Sequence, residues 1–307
     1  MNWKGVFPAV TTKFTADDQL DFDAFRLNLD AQLDAGVSGL VLGGTLGEAS
    51  TLSAQEKTAL VQAAVRHTAG RVPVVLNISE QTTKGAIQAA AKAKSYGANG
   101  LMLLPPLRYA ADARETVTYL KEVAASTDLS IMIYNNPVDY KIEVTVDMFR
   151  ELADCPNIEA IKESTRDVSN VTRLRNAFGD RYKILCGVDT LAAEELMMGA
   201  DGWVAGLVCA FPAETVTIFN LIKAGRHEEA LAVYSWFLPL LELDIHPKLV
   251  QYIKLAEVAA GIGTEYVRPP RLPLVGEERE RILEVINRGL AKRPKLPAVE
   301  APSHFPA

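Results

Sequence analysis

Along the chain, short runs of aliphatic and β-branched residues alternate with longer stretches whose apolar positions recur every three to four residues. Runs at Gly5 to Thr12, Ser38 to Gly43, Pro73 to Ile78, Gly100 to Leu104, Ser130 to Tyr134, Ile158 to Lys162, Lys183 to Gly187 and Gly202 to Gly206 predict eight strands. Several are apolar throughout, as in Val74-Val75-Leu76, which suits strands covered on both faces of a parallel sheet. The stretches between them read as helices. Two open on recognisable start signals, Ser53 with Glu56 three residues on and Asp112 with Glu115 three residues on.

Eight strand–helix units in succession predict an α/β fold, a (β/α)8 TIM barrel, over residues 1–224. An open doubly wound sheet would carry a phosphate-binding fingerprint after its first strand, and Pro8 to Thr12 offers none. Beyond Lys223 the strand pattern stops. Helical patterns at His227 to Glu242, Pro247 to Ala260 and Glu277 to Ala291 predict a C-terminal helical extension over residues 225–293, with Arg268-Pro269-Pro270-Arg271-Leu272-Pro273 as a rigid connection. Residues 294–307 contain Pro294, Pro297, Pro302 and Pro306 and read as a flexible tail.

Composition narrows the function. With 32 Lys+Arg against 38 Asp+Glu the net charge is −6, and no segment concentrates basic residues. That excludes the electrostatic footprint of a nucleic-acid or anionic-membrane binder and favours a small-molecule partner. Three cysteines form neither a disulfide framework nor a zinc pattern. Cys186 and Cys209, on or just after strands, read as core residues. His67, His227, His246 and His304 are scattered and stand beside no carboxylate at ligand spacing, so neither a metal nor another cofactor is expected. The N-terminus lacks a basic stretch followed by an apolar one, and the apolar run from Gly202 to Ala213 falls short of the ~20 residues of a membrane helix. A cytoplasmic location is the resulting expectation.

In such a barrel the active site lies at the carboxyl ends of the strands, so polar residues there are the candidates. In Ile158-Glu159-Ala160-Ile161-Lys162 alternation places residues 158, 160 and 162 on one face, and if that face is the interior, small Ala160 leaves room below the lysine stem. Desolvation at the mouth would lower the pKa of Lys162, and a neutral amine attacks carbonyls. The same residue equally reads as a surface lysine, or one paired with Glu163. Tyr134 ends the preceding strand, where its hydroxyl can relay protons, or else be a core phenol satisfied by backbone. The glycine-rich turn Gly43-Gly44-Thr45-Leu46-Gly47-Glu48 can aim successive N–H groups at a carboxylate, although a βα turn followed by a Ser53 cap requires no ligand. Asp189 and Gly206, just past strands seven and eight, complete the candidate substrate-binding set; Asp189 equally reads as a helix cap beside Thr190.

Taken together, Gly44-Thr45-Leu46-Gly47-Glu48, Tyr134-Asn135-Asn136-Pro137 and Ile161-Lys162-Glu163-Ser164 resemble the signatures of the dihydrodipicolinate synthase / N-acetylneuraminate lyase superfamily. The resemblance implies a homotetramer of barrels in which Lys162 forms a Schiff base with a 2-oxo acid. It also implies that Tyr134 relays protons and that the backbone around Thr45, from Gly44 to Leu46, holds the carboxylate. Three features depart from synthases that condense pyruvate with aspartate semialdehyde, so that condensation is not expected of this chain. Their turn carries Thr-Thr where this chain has Thr45-Leu46, and a Tyr-Tyr pair where it has Pro106-Leu107; Asp139 also stands where they carry an arginine, and its role is open.

Longer segments, Trp3 to Thr12, Trp236-Phe237 with Pro239-Leu240, and Arg268 to Leu274 followed by Gly276-Glu277-Glu278-Arg279, resemble the 1-pyrroline-4-hydroxy-2-carboxylate deaminases of hydroxyproline catabolism. This resemblance implies conversion of that imino acid to 2,5-dioxopentanoate and ammonia. An aldolase or dehydratase for 2-keto-3-deoxy sugar acids, and a non-catalytic metabolite-binding barrel, stand as alternatives.

Overall fold

The computed structural model describes residues 1–106 and 108–300; Leu107, His304 and the end of the expected tail, residues 301–307, lie outside the described residues. One parallel sheet contains β1 (Gly5–Pro8), β2 (Leu40–Leu42), β3 (Val74–Ile78), β4 (Gly100–Leu103), β5 (Ser130–Asn135), β6 (Ile158–Glu163), β7 (Lys183–Cys186) and β8 (Gly202–Ala205). Their hydrogen-bonded order is β1-β8-β7-β6-β5-β4-β3-β2. A parallel bridge between Ala9 and Val41, with Ser38 N donating to Val6 O at 2.8 Å, brings β1 back against β2. The sheet thus curls into a nearly closed barrel, the expected TIM fold.

Around it run α1 (Phe22–Asp34), α2 (Ala54–Thr68), α3 (Thr83–Ser95), α4 (Ala113–Ala125), α5 (Pro137–Tyr140), α6 (Val146–Leu152), α7 (Ser169–Phe178), α8 (Ala192–Met197) and α9 (Pro212–Lys223). Both expected capping boxes form: Ser53 and Asp112 each accept from the backbone of the glutamate three residues on, and Glu56 and Glu115 reciprocate. Strand β5 departs from the one-helix rule. Asn136 accepts from Asp139 N at 3.1 Å and Pro137 occupies the first helical position, so the single turn α5 precedes α6.

Two apolar layers fix the barrel. Its inside is filled by Trp3, Phe7, Val41, Val75, Met102, Met132, Ala160, Leu185 and Val204, and a larger cluster joins the outer strand faces to the helices. A filled interior leaves no room for a ligand inside the barrel, so the carboxyl-end mouth is where the candidate site lies. Strand β1 ends at Pro8, earlier than its apolar run suggests, because Thr11 and Thr12 turn their hydroxyls to side partners. Thr11 Oγ1 donates to Glu257 Oε1 at 2.5 Å and Thr12 Oγ1 to Gly47 O at 2.6 Å.

The extension comprises α10 (His227–Leu241), α11 (Leu249–Ala259) and α12 (Gly276–Ala291), with a 3-10 turn at Glu242–Ile245. Arg268 ties its long connection to the barrel: Nε donates to Asp18 Oδ1 at 2.7 Å, Nη2 to Glu56 Oε1 at 2.6 Å, and its backbone N to Glu48 Oε2 at 3.0 Å. Residues 294–300, read from sequence as part of the tail, lie along the protein surface, where Leu296 and Val299 pack on the core and Arg226 Nη1 donates to Ala298 O at 2.7 Å. Among the described residues no helix is long and apolar enough to cross a membrane.

Candidate active site

The carboxyl ends of the strands open into a cavity of about 560 Å³ lined by, among others, Thr45, Tyr134, Tyr140, Lys162, Gly206 and Asp244. Lys162 ends the inward face of β6, directly above Ala160 of the filled interior; Ile158, expected on that same face, packs in the outer cluster instead, because the pairing with β5 shifts register between Ile131 and Met132. It is 6% exposed, so it is not a surface lysine, and Glu163 is not its partner: Glu163 accepts from Thr165 N at 2.7 Å and Asn170 Nδ2 at 2.7 Å. A side chain at Gly187 would obstruct the lysine stem, because an added Cβ would lie 2.7 Å from Lys162 Cε and 2.1 Å from Ser164 Oγ. Burial holds the amine below the usual lysine range, against the opposing pull of Tyr140, Asp244 and Asp189. Its Nζ has no hydrogen-bond acceptor among the described residues and lies 3.9 Å from the centroid of the Tyr134 ring.

Tyr134 is the register partner of Lys162 across β5 and β6. Its hydroxyl accepts from Asn136 Nδ2 at 3.1 Å, so the phenol is satisfied by a side chain at the mouth and not by backbone. Burial pushes its pKa up to about 12, which keeps it a neutral donor at neutral pH. A second pair of hydroxyls, Thr45 Oγ1 and Tyr140 Oη, lies 2.8 Å apart, and the Tyr134 and Tyr140 rings meet edge to face with centroids 5.5 Å apart. Burial raises the Tyr140 hydroxyl to about 12 as well.

The glycine-rich turn is held from below by buried charge. Glu48, left-handed at φ 51°, accepts from Lys254 Nζ at 2.5 Å. Lys13 and Glu257 form a second fully buried pair at 3.0 Å. Because Lys254 and Glu257 both belong to α11, the extension fixes the position of the Thr45 turn.

Gly44, Thr45, Leu46 and Gly206 all line the cavity. Asp189 lies beneath it and is fully engaged: it accepts from Trp203 Nε1 at 2.9 Å, Gly206 N at 3.1 Å and Leu207 N at 2.8 Å. Its carboxylate thus organises the end of β8. It does not cap a helix through its side chain. Asp139 stands half-exposed at the rim, 3.7 Å from Arg166, so a guanidinium reaches the rim from the loop after β6.

Two cavity residues have no counterpart in the sequence reading. Tyr140 arrives on α5, which Asn136-Pro137 signals as a helix start. Asp244 arrives on the 3-10 turn of the extension, far from any strand end, and no sequence signal marks it. Cys186 and Cys209 are buried in the core. Among the described residues no cluster of three His, Cys, Asp or Glu is placed to hold a metal ion.

The model of the Dihydrodipicolinate synthetase family matches residues 2–288. The chain belongs to this family. Its members are lyases that work through a lysine Schiff base. The 4-hydroxy-tetrahydrodipicolinate synthase of Exiguobacterium sibiricum is 34% identical over 276 residues, covering 89% of this chain and 92% of the relative. The synthase of the same name from Sorangium cellulosum is 34% identical over 299 residues, covering 94% and 97%. Among solved structures, a dihydrodipicolinate synthase of Bacillus anthracis superposes with a TM-score of 0.90 at 26% identity, covering 96% of this chain and all of that one. A prophage protein of the family from E. coli K12, solved with pyruvate, superposes with a TM-score of 0.88 at 26% identity, covering 94% and 99%.

Proposed function

We propose that this family member is a Schiff-base deaminase that converts 1-pyrroline-4-hydroxy-2-carboxylate to 2,5-dioxopentanoate and ammonia without a cofactor. The observation that carries the chemistry is the unbonded Lys162 amine, 6% exposed, over the face of Tyr134 at a closed barrel's mouth. The substrate choice is supported by the segments that resemble the deaminases and by Leu46 and Asp139 standing where synthases carry threonine and arginine.

In this reading Lys162 attacks C2 of the imine and the ring opens, leaving a protonated lysine Schiff base as electron sink. The Thr45 turn, with Gly44 and Leu46, holds the carboxylate. A C3 proton leaves by way of the Tyr134 hydroxyl, which at a pKa of about 12 acts by passing protons along hydrogen bonds and not as a standing phenolate. The C4 hydroxyl departs as water; loss of a C5 proton into the conjugated Schiff base and reprotonation at C4 and C3 turn the C5 amine into an imine, and hydrolysis at C5 and C2 then releases ammonia and product. A homotetrameric assembly belongs to the same proposal.

A second reading, condensation of pyruvate with aspartate semialdehyde, is favoured by the names of the relatives at 34% identity. Purified protein given each substrate set, with ammonia and the condensation product measured in parallel, separates the two. Ammonia from the imino acid supports the deaminase; condensation product without ammonia overturns it. Borohydride trapping followed by intact mass tests the non-catalytic alternative, which forms no adduct on Lys162.

A further inference from the structure

Among the residues brought to the cavity by the extension, Asp244 stands out by position. It lies on the 3-10 turn between α10 and α11, and its carboxyl rests over Gly206 at the end of β8. A Cβ at position 206 would fall 2.1 Å from Asp244 Oδ1 and 2.7 Å from its Cγ, so glycine there admits the carboxyl to the mouth. No hydrogen bond to Asp244 is formed among the described residues, in contrast to the neighbouring Asp189, whose oxygens are taken up by N–H donors. The groups that interact with it are Asp189 after β7, Lys162 from β6, Asp139 at the rim and Tyr134 from β5, and His246 and Arg271 of the extension line the same cavity.

Burial pushes the Asp189 carboxyl up, but the N–H donors of Leu207, Gly206 and Trp203 pull against that rise and favour its charged form, whereas Asp244 has no such donors among the described residues. A second carboxyl beside it then favours the protonated state, as in other carboxyl pairs. Burial and the charge of Asp189 together hold Asp244 well above the usual carboxylate range. A neutral carboxylic acid with a free O–H, open to the ligand cavity, is a proton donor waiting for an acceptor.

We infer that Asp244 is the general acid that protonates the hydroxyl leaving from C4 of the Lys162-bound substrate. The inference rests on the deaminase reading. In the step, the enamine nitrogen lone pair re-forms the C2=N bond, the C2=C3 pair becomes the C3=C4 bond, and the C4–O bond breaks. Its electron pair stays on oxygen, which takes the Asp244 proton and leaves as water. Asp244, now a carboxylate, is reprotonated from solvent through the open mouth. No oxidant or reductant is needed.

The test compares wild type with Asp244→Asn by three measurements: ammonia release from 1-pyrroline-4-hydroxy-2-carboxylate, ammonia release from its 4-fluoro analogue, and the borohydride-trapped adduct of Lys162 with pyruvate. Fluoride leaves with far less need of a proton. The expected result is a loss of about 100-fold or more with the hydroxy substrate, in the range of a removed general acid. With the fluoro analogue the loss should be below about tenfold, and the adduct should form as in wild type. Three results overturn the assignment: ammonia release from the hydroxy substrate above about a tenth of wild type, equal losses on both substrates, or loss of the adduct, which would place Asp244 in service of the amine or the fold. Wild type that releases no ammonia removes the deaminase reading and this inference with it. An active wild type with an equally active Asp244→Asn removes the inference alone.

Discussion

Tyr134 and Lys162 are direct partners across β5 and β6, and the lysine amine sits 3.9 Å from the phenol ring centroid. A cation over an aromatic face is attracted to it, whereas burial penalises the charge. Burial is the larger influence here, so the amine is held below its usual range. The contact therefore positions a nucleophile more than it stabilises an ammonium.

Lys162→Ala should reduce turnover more than about a thousandfold and eliminate the borohydride-trapped mass increment. Its melting temperature should stay within a few degrees of wild type or rise, because an unpaired buried amine is removed. Steady-state kinetics with intact mass checks both; residual turnover above a thousandth would reassign the nucleophile.

Gly187→Ala tests the room around the lysine stem. The added Cβ would meet Lys162 Cε at 2.7 Å and Ser164 Oγ at 2.1 Å, so the amine must shift. Adduct formation, followed in single turnovers, should slow by about tenfold or more, since small misplacements of reacting groups are costly. An unchanged rate would show that the stem is free to move.

The Tyr140 and Tyr134 hydroxyls should each matter without ionising. Tyr134→Phe and Tyr140→Phe are expected to lower kcat by about 100-fold and about tenfold respectively. With both phenols held at about 12, ultraviolet titration of the folded protein should show neither ionising below about pH 11. A phenolate signal from either near pH 9 would contradict the assignment.

Removing one partner of the buried pair under the glycine-rich turn should be costly. Lys254→Met leaves Glu48 only the Arg268 amide and the Arg271 guanidinium at 4.0 Å, and should destabilise by up to about 3–5 kcal/mol in urea unfolding. KM should rise with it, because Glu48 anchors the turn that carries Thr45. A stable variant with an unchanged KM would detach this ion pair from the site.

Glu195 makes stability fall with rising pH. It is fully buried on α8 with no N–H donor to either oxygen, and burial followed by the neighbouring charge of Glu163 raises it to about 8 against the weak pull of the Cys186 thiol. Between the ordinary glutamate range near 4.3 and about 8 the folded state holds a proton that the unfolded state has lost. The stability this supplies is fully present below about pH 4 and is lost as pH rises through about 8. Glu195→Gln should therefore raise the melting temperature relative to wild type at pH 9, with the difference shrinking towards pH 5. A pH-independent difference would refute the titration.

The order of elements is a local property of the chain, and so the barrel could be read from it. Apolar runs such as Val74-Val75-Leu76 cannot be solvated on either face, and eight of them separated by amphipathic stretches have one economical arrangement. Alternation from Ala160 to Lys162 and from Met132 to Tyr134 likewise set the lysine and the tyrosine on the inward face at strand ends, although it fails at Ile158, where the pairing shifts register. Tertiary structure alone decided the rest. Tyr140 enters the site because α5 turns the chain back over Tyr134, Asp189 is spent on the β8 amides, and Asp244 reaches the mouth only because glycine at 206 leaves space for it. The Asp189 and Asp244 contacts, and the hydrogen bond between Thr45 and Tyr140, join residues about 20, 40 and 95 positions apart through the closure of the barrel and the docking of the extension, distances over which no periodicity in the sequence carries information.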